Sequence, residues 1–249
     1  MTTGRVPPLV VAGIAKERAG AERVFELAVP SFTVERGEII AVLGRSGCGK
    51  STFLELIALA APPTQRVHGR GRFRFEGEDL ITLWRRSDRE RLAALRARGI
   101  GFILQTGALP TFLTVRQNAE LSQQLAGRED PGFITTLLRD LELSEVEHAF
   151  PETLSVGQRQ RAAIVRALAH RPQLIVADEP TGALDPDVAE SVMRLLVQTA
   201  EGLGSAVVMA SHDHDLVKAT GIEVVHMAVE RHALHDGRKL TRSTVERSA

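Results

Sequence analysis

The stretch GRSGCGKST, from Gly44 to Thr52, constrains the fold of this chain more than any other feature. The short apolar run EIIAVL before it indicates a buried strand, and FLELIALAA after it has the apolar spacing of a packed helix. A strand, a glycine-rich loop and a helix are the context in which the pattern G-x-x-x-x-G-K-[ST] binds phosphate. We therefore predict an α/β protein with a phosphate-binding loop.

The residue types in this loop fit that chemistry. Its glycines let the backbone approach a ligand without a Cβ in the way, and its N–H groups then form a nest for an anion at a helix N-terminus. Lys50 can reach the β- and γ-phosphates, and the Ser51 hydroxyl is placed to bind Mg²⁺. The loop residues predicted to contact nucleotide are Gly44, Arg45, Ser46, Gly47, Cys48, Gly49, Lys50, Ser51 and Thr52.

The bulk properties narrow the class of protein. A length of 249 residues suits one large α/β domain or a domain with an insertion. A formal net charge of zero argues against a nucleic-acid partner. No apolar run is long enough to cross a bilayer, and the first residues do not resemble a signal peptide. With one cysteine, which fits a reducing compartment, we expect a cytoplasmic protein.

The remaining pattern predicts a nucleotide-binding core interrupted by helices. We predict strands at PLVVAGIA, SFTV, EIIAVL, IGFILQ, QLIVADEP, SAVVMASH and IEVVHMA, an edge strand at GRGRFRFEGEDL, and a helix at SDRERLAALRARG. Residues 106–169 have a helical pattern, which predicts an α-helical subdomain between core segments 1–105 and 170–249. The final DGRKLTRSTVERSA is predicted to be a turn followed by a polar, mobile tail.

Two downstream segments carry further chemistry. Asp178 and Glu179 end an apolar run, where one carboxylate for Mg²⁺ and one for a water molecule would serve phosphoanhydride hydrolysis. The alternative is an acidic cap at a strand end. LSVGQ opens an Arg- and Ala-rich helix with Ser155 as its N-cap, and its free N–H groups could bind a phosphate. Taken alone, this segment is an ordinary helix start.

Together these segments resemble the ATP-binding-cassette ATPases, over nearly the whole chain. The motifs follow in that family's order: the loop at Gly44–Ser51, a glutamine after a strand at Gln105, LSVGQ, LIVAD followed by Glu179, ALD at 183–185, and His212 after the next strand. The resemblance implies a P-loop NTPase core of the RecA-like type with an antiparallel β subdomain and an inserted α-helical subdomain.

In that family two cassettes pair head to tail with two ATP molecules between them, which implies a homodimer that uses ATP and Mg²⁺. The implied catalytic residues are Glu179, His212, Gln105 and Lys50, and the implied Mg²⁺ ligands are Ser51, Gln105 and Asp178. Glu179 would polarise the attacking water, and His212 would contact the γ-phosphate. The residues implied to act across the dimer interface are Ser155, Gly157, Gln158 and Asp185. Because the site closes only in the dimer, a lone cassette should hydrolyse ATP poorly.

Two positions depart from the family pattern. The signature usually has glycine at position 156, and Val156 must therefore hold a negative φ. The family commonly stacks an aromatic residue on adenine, but this chain has no tyrosine and Phe25 lies late in the segment. By position we favour Arg18, whose guanidinium plane can stack on a base, and its alternative is a solvated turn residue.

Cys48 and the histidines admit further interpretations. Beside Lys50 at a helix N-terminus, the Cys48 thiol is expected to be solvent-exposed and reactive in the empty loop, with a buried space-filling role as the alternative. His212 and His214 have strand-like spacing for a metal, but no further cysteine or clustered histidine supports zinc.

The segment around Gln105 indicates the partner. LRARGIGFILQTGALPTFLTVRQNAEL resembles the ATPases of lipoprotein release, macrolide export and the cell-division complex, which implies an integral membrane permease partner at the inner membrane. Leu109, Phe112 and Leu113 are equally docking contacts or core residues. We expect the ATPase subunit of an exporter or extractor. The alternatives are a mechanical regulator of a membrane partner and a soluble cassette without a transport role.

Overall fold

The computed structural model describes residues 7–66, 71–234 and 238–247, and its centre is a five-stranded parallel sheet. The strands of this sheet, in spatial order, are β10 (Glu223–His226), β3 (Ile39–Leu43), β9 (Ala206–Ser211), β8 (Leu174–Asp178) and β7 (Ile100–Ile103). The predicted strands in these segments are confirmed. Their branched apolar side chains are almost all buried, as expected for a parallel sheet with both faces covered.

The strand register brings the predicted site residues to one edge of this sheet. Leu43 at the end of β3 pairs with Ser211 of β9 and His226 of β10, and Asp178 of β8 pairs with Ala210. Because all five strands run the same way, the segments that follow them emerge on the same side. The phosphate loop, Glu179, His212 and Gln105 each follow one of these strand ends.

A second sheet packs beside the first. Its strands are β1 (Leu9–Ala19), β2 (Arg23–Val34), β4 (Gln65–Arg66), β5 (Arg72–Phe75), β6 (Glu78–Asp79), β11 (Ala228–Ala233) and β12 (Lys239–Thr244). Their main path runs β11-β12-β2-β1-β5-β6, and all its pairs are antiparallel except the one between β12 and β2. The segment predicted as an edge strand forms β5 and the two-residue β6, and β6 ends the strand path, so its place at the edge of the sheet is confirmed. Gly69 and Arg70, at the start of that segment, lie outside the described residues.

The helices are distributed as the pattern predicted. They are α1 (Lys50–Ile57), α2 (Leu80–Arg85), α3 (Arg89–Gly99), α4 (Val115–Ala126), α5 (Pro131–Asp140), α6 (Val156–Leu168), α7 (Pro186–Leu203) and α8 (His214–Ala219). Residues 104–173 contain α4 to α6 and two short 3-10 turns, with no strand. Asp88 caps α3 by accepting from the backbone N–H of Arg91.

The C-terminal segment was predicted wrongly. Residues 239–244 form β12 between β11 and β2, Ser243 and Val245 are buried, and the predicted turn at Asp236-Gly237 lies outside the described residues. Arg247 then joins three elements. Its Nη1 donates to the Thr33 carbonyl oxygen at 2.5 Å and to Glu38 Oε2 at 2.8 Å, and its Nε donates to Glu223 Oε1 at 2.7 Å. The C-terminal segment is therefore hydrogen-bonded to both sheets, through Thr33 of β2 and Glu223 of β10.

We predict that Arg247→Met lowers the free energy of unfolding at pH 7 by about 1–3 kcal/mol, since it removes hydrogen bonds between charged groups. The bond from Arg247 holds the pKa of Glu38 below its usual 4.5, so this stabilisation is complete above pH 4.5 and is lost as the pH falls through the lowered value. Urea unfolding at several pH values measures the effect. An equal loss from Arg242→Met, which removes a single ion pair between a more exposed arginine and the half-buried Glu26, would contradict a special role for Arg247.

Candidate active site

The phosphate loop has the shape that its glycines predict. Gly49 has a φ of 99°, in the left-handed region that favours glycine, and caps α1. Lys50 is only 6% exposed, and its Nζ donates to the Gly44 carbonyl oxygen at 2.7 Å. The lysine is thus folded back along its own loop, with its ammonium group on the carbonyl oxygen at the start of the loop.

Phe25 is a site residue that the sequence analysis passed over. The register of β1 and β2 places it directly opposite Arg18. A Cβ on Gly49 would lie 2.4 Å from Phe25 Cζ, so the ring covers the backbone of the phosphate loop. Arg18 Nη2 donates to Glu55 on α1 at 2.5 Å. Phe25 lies late in the segment that follows the first predicted strand, and only the pairing of β1 with β2 shows that it is next to Arg18.

A cavity of about 530 Å³ lies in front of the loop. Its lining residues are Arg18, Phe25, Ser46, Gly47, Gly49, Lys50, Ser51, Thr52, Gln105, Asp178 and Glu179. All of these except Phe25 were predicted as site residues from the sequence. Phosphate-binding groups, carboxylates and an aromatic ring therefore line one cavity, at the C-terminal ends of the parallel strands.

Glu179 is the centre of the charged groups in this cavity. Its Oε1 lies 3.2 Å from His212 Nδ1 and 3.9 Å from Lys50 Nζ, and its Oε2 accepts from Gln105 Nε2 at 3.2 Å. The φ of Glu179 is 48°, a left-handed conformation that costs a residue with a side chain about 1–3 kcal/mol. Such local strain is commonly found where a side chain is held for function.

The absence of a side chain at Gly182 leaves space for the Glu179 carboxylate. A Cβ on Gly182 would lie 3.3 Å from Glu179 Oε2 and 3.5 Å from Gln105 Nε2. The N–H of Gly182 also donates to the Glu179 carbonyl oxygen at 3.1 Å. Gly182 was not singled out from the sequence. Glycine is needed there because Glu179 and Gln105 lie close to it in space, and the sequence pattern does not show that contact.

The predicted interface residues lie outside this cavity. Ser155 caps α6, accepting from the N–H of Gln158 at 3.2 Å, while Gln158 Oε1 accepts from the N–H of Ser155 at 3.0 Å. Val156 is the first residue of α6, without the positive φ that would strain it, and it is 55% exposed. Asp185 precedes α7 and is also exposed.

The reactive-thiol expectation for Cys48 is wrong. Cys48 is only 4% exposed, and its Sγ lies 3.8 Å from Met227 Sδ. A Cβ on Gly44 would lie 2.7 Å from Cys48 Sγ, so the sulfur fills the space behind the loop. The side chain points into the protein, although its position beside Lys50 had indicated exposure.

Comparison with known proteins agrees with this geometry. The model of the ABC transporter family matches residues 27–182, more than half of the chain. The chain belongs to the ABC transporter family. The ABC transporter ATP-binding protein Rv0986 of Mycobacterium tuberculosis is 37% identical over 76% of this chain and 73% of its own length. The macrolide export ATP-binding/permease protein MacB of Shigella flexneri is 39% identical over 78% of this chain, which spans only 29% of that relative.

Solved ABC cassettes confirm the fold. The dimeric structure of MJ0796, a bacterial ABC transporter cassette, matches with a TM-score of 0.75 and 31% identity, over 88% of this chain and 93% of that one. Its post-hydrolysis state bound to ADP and Pi matches with a TM-score of 0.73 and 30% identity, over the same shares of the two chains. The predicted P-loop NTPase fold is therefore confirmed, and the chain is an ABC ATPase. Within the described residues, no helix is long and apolar enough to cross a membrane.

We predict that Phe25→Ala raises the Kd for ATP by about 2- to 12-fold, since an aromatic contact in a binding cavity contributes roughly 0.5–1.5 kcal/mol. Titration of the isolated subunit with a fluorescent ATP analogue measures this. Phe150→Ala, which removes a half-exposed ring far along the chain, is the matched control and should leave the Kd unchanged. Unchanged affinity in Phe25→Ala would mean that the ring only packs on Gly49.

Proposed function

We propose that this ABC ATPase works as a head-to-tail homodimer that powers an exporter or extractor through an integral membrane permease at the inner membrane. The observation that carries the proposal is the division of the site. One cavity holds the phosphate loop, Gln105, Asp178 and Glu179, while the exposed Ser155 and the half-buried Gln158 lie at the start of α6, outside it. A second subunit would supply them. The division into core segments 1–105 and 170–249 and helical segment 106–169 is part of this proposal.

Within one subunit, Lys50 and the loop amides would hold the β- and γ-phosphates. To do so, Lys50 exchanges its bond to the Gly44 carbonyl oxygen, at 2.7 Å, for a phosphate oxygen. Glu179 would then accept a proton from the attacking water while Gln105 and His212 hold its carboxylate in position. Arg18 and Phe25 are proposed to contact the base, since they are paired residues at the cavity wall.

The donor set fits Mg²⁺. Ser51, Gln105 and Asp178 line the same cavity and offer a hydroxyl, an amide and a carboxylate, the hard oxygen ligands that this ion prefers. The amide nitrogen of Gln105 is committed to Glu179, so its oxygen is the atom available to a cation. When bound, the ion would neutralise charge that develops on the phosphates.

Ser155, Gly157, Gln158 and the loop before α7 with Asp185 would act on the nucleotide held by the other subunit. Ser155 and Gln158 hold each other through a capping box, so the first turn of α6 presents its remaining free N–H groups to an anion. Those donors meet the γ-phosphate only when two subunits close. This arrangement makes hydrolysis depend on dimerisation.

The permease would dock beside the Gln105 segment. Phe112 is 79% exposed there and is therefore available to a partner. Leu109 is buried in the core, so the docking interpretation is wrong for that residue. Arg166 on α6 donates to the carbonyl oxygens of Phe102 and Ala108, at 2.9 and 3.2 Å. It thereby ties α6 to both ends of the segment that carries Gln105, a physical route from docking to the active site.

Membrane fractionation tests the permease partner. We predict that the native protein sediments with membranes and is released by detergent together with a polytopic membrane protein, and that Phe112→Asp shifts most of it to the soluble fraction. A charge on an exposed ring position prevents burial against an apolar partner surface. The control is Leu125→Asp, another exposed apolar position, at the opposite end of α4. A wild-type protein found only in the soluble fraction would contradict the proposal.

A further inference from the structure

A second cavity, of about 800 Å³, lies on the other side of the phosphate loop. It shares Ser46 and Gly47 with the nucleotide cavity, so the tip of the loop separates the two. Its other lining residues are Leu43, Gly44, Arg45, Cys48, His214, His226, Met227, Val229, Arg231 and Thr241. The proposed reaction uses the first cavity and leaves this one without a role.

The charge of this second cavity is one-sided. Arg45 and Arg231 line it, and neither forms an ion pair within the described part of the chain. No carboxylate is among its lining residues. Guanidinium groups without partners beside a cavity favour an anionic occupant.

The strands β11 and β12 place Arg231 there. Phe25 of β2 pairs with Thr241 of β12, which pairs with Arg231 of β11. Residues directly opposite on neighbouring strands share a face of the sheet, so Arg231 points to the same side as Phe25, which covers the phosphate loop. Val229, two residues before it and 40% exposed, adds an apolar surface on that face.

The first turn of α7 carries an acidic and an apolar residue, which complement the arginines and Val229 of the second cavity. Asp187 and Val188 are both exposed there, and Asp187 has no ion pair in the described residues. This turn lies against the start of α6, because a Cβ on Gly157 would be 3.1 Å from Val188 Cγ1. Wherever the segment from Ser155 to Gln158 docks, the turn with Asp187 and Val188 docks beside it.

We infer that the second cavity receives the first turn of α7 from the partner subunit. The inference rests on the proposed head-to-tail dimer, in which the start of α6 faces the phosphate loop of the other subunit. The neighbouring turn then meets the basic cavity behind the tip of that loop, with Asp187 of the partner subunit pairing with Arg231 and Val188 of the partner subunit packing on Val229. Because the dimer has two-fold symmetry, this contact occurs twice in it.

A charge exchange in the full-length Glu179→Gln background tests this contact, with the MgATP-dependent dimer measured by sedimentation velocity. Arg231→Glu and Asp187→Lys should each weaken the dimer about 10-fold or more, because each places like charges together. The double variant restores an opposite-charge pair and should recover most of that loss. The control is Arg139→Glu, an equal charge reversal at an exposed position on α5, which should leave dimerisation unchanged.

Four results would overturn the contact. The single variants could dimerise as well as the parent, or the double variant could lose as much as the two singles combined. Arg231→Glu could instead weaken ATP binding by the monomer with no effect of Asp187→Lys, which would make the cavity a nucleotide or phosphate site. If the Glu179→Gln parent itself formed no dimer with MgATP, the proposed head-to-tail dimer would fail first, and the contact with it.

Discussion

Glu179→Gln should lower ATP turnover by roughly 10²- to 10⁴-fold while leaving ATP affinity nearly unchanged, the range expected for the loss of a general base. The carboxylate lies at 3.2 Å from both Gln105 Nε2 and His212 Nδ1, a position fixed by its neighbours and by the space at Gly182. Glutamine keeps the shape and removes the basic oxygen. The variant should therefore bind MgATP, close and accumulate as a dimer.

Steady-state phosphate release and light scattering after MgATP addition measure both effects. Glu201→Gln, at the exposed end of α7, is the matched control and should keep wild-type turnover. Turnover of Glu179→Gln within threefold of the wild type would remove Glu179 from the role of base. Loss of ATP affinity in this variant would instead indicate a ground-state role in binding.

Ser155→Arg should block hydrolysis by about 100-fold or more without changing ATP affinity of the monomer. Ser155 lies outside the nucleotide cavity of its own subunit, and a bulky cation at this helix start would obstruct the partner's γ-phosphate. The lost cap costs α6 about 1 kcal/mol, which leaves the fold intact.

Equilibrium ATP binding at low protein concentration separates the two possible roles of Ser155. Ser144→Arg, an exposed position in a 3-10 turn, controls for the added charge and should behave as the wild type. A tenfold fall in the monomer's ATP affinity in Ser155→Arg would place Ser155 in the site of its own subunit and contradict the divided site.

The parallel sheet and the phosphate loop were predictable because their signals are local. Short apolar runs such as those before Gly44 and Asp178 admit few structures other than buried strands, and the loop's chemistry requires its glycines and Lys50 at fixed spacing. The fold class followed from these signals, and together with the family resemblance they gave every lining residue of the nucleotide cavity except Phe25. Such local signals locate only the residues that directly follow a strand of the parallel sheet.

What sequence reasoning missed depends on contacts between distant segments. Strand β12 is polar and was expected to be a mobile tail, yet pairing with β2 and the hydrogen bonds from Arg247 to Thr33, Glu38 and Glu223 hold it. Phe25 enters the site through its strand partner Arg18, and Cys48 is buried by Met227, which lies 179 positions further along the chain. Neither periodicity nor a motif reports such neighbours.

The divided active site is tested most directly by mixing two inactive variants. Lys50→Ala lacks the lysine that acts on its own nucleotide, and Ser155→Arg blocks the site of its partner. In a mixed dimer, Lys50 of one subunit and Ser155 of the other form one intact site. The account predicts that equimolar mixing restores ATP hydrolysis to about a quarter of the wild-type rate, since half of the dimers are mixed and each has one intact site. A mixture no more active than either variant alone would contradict it.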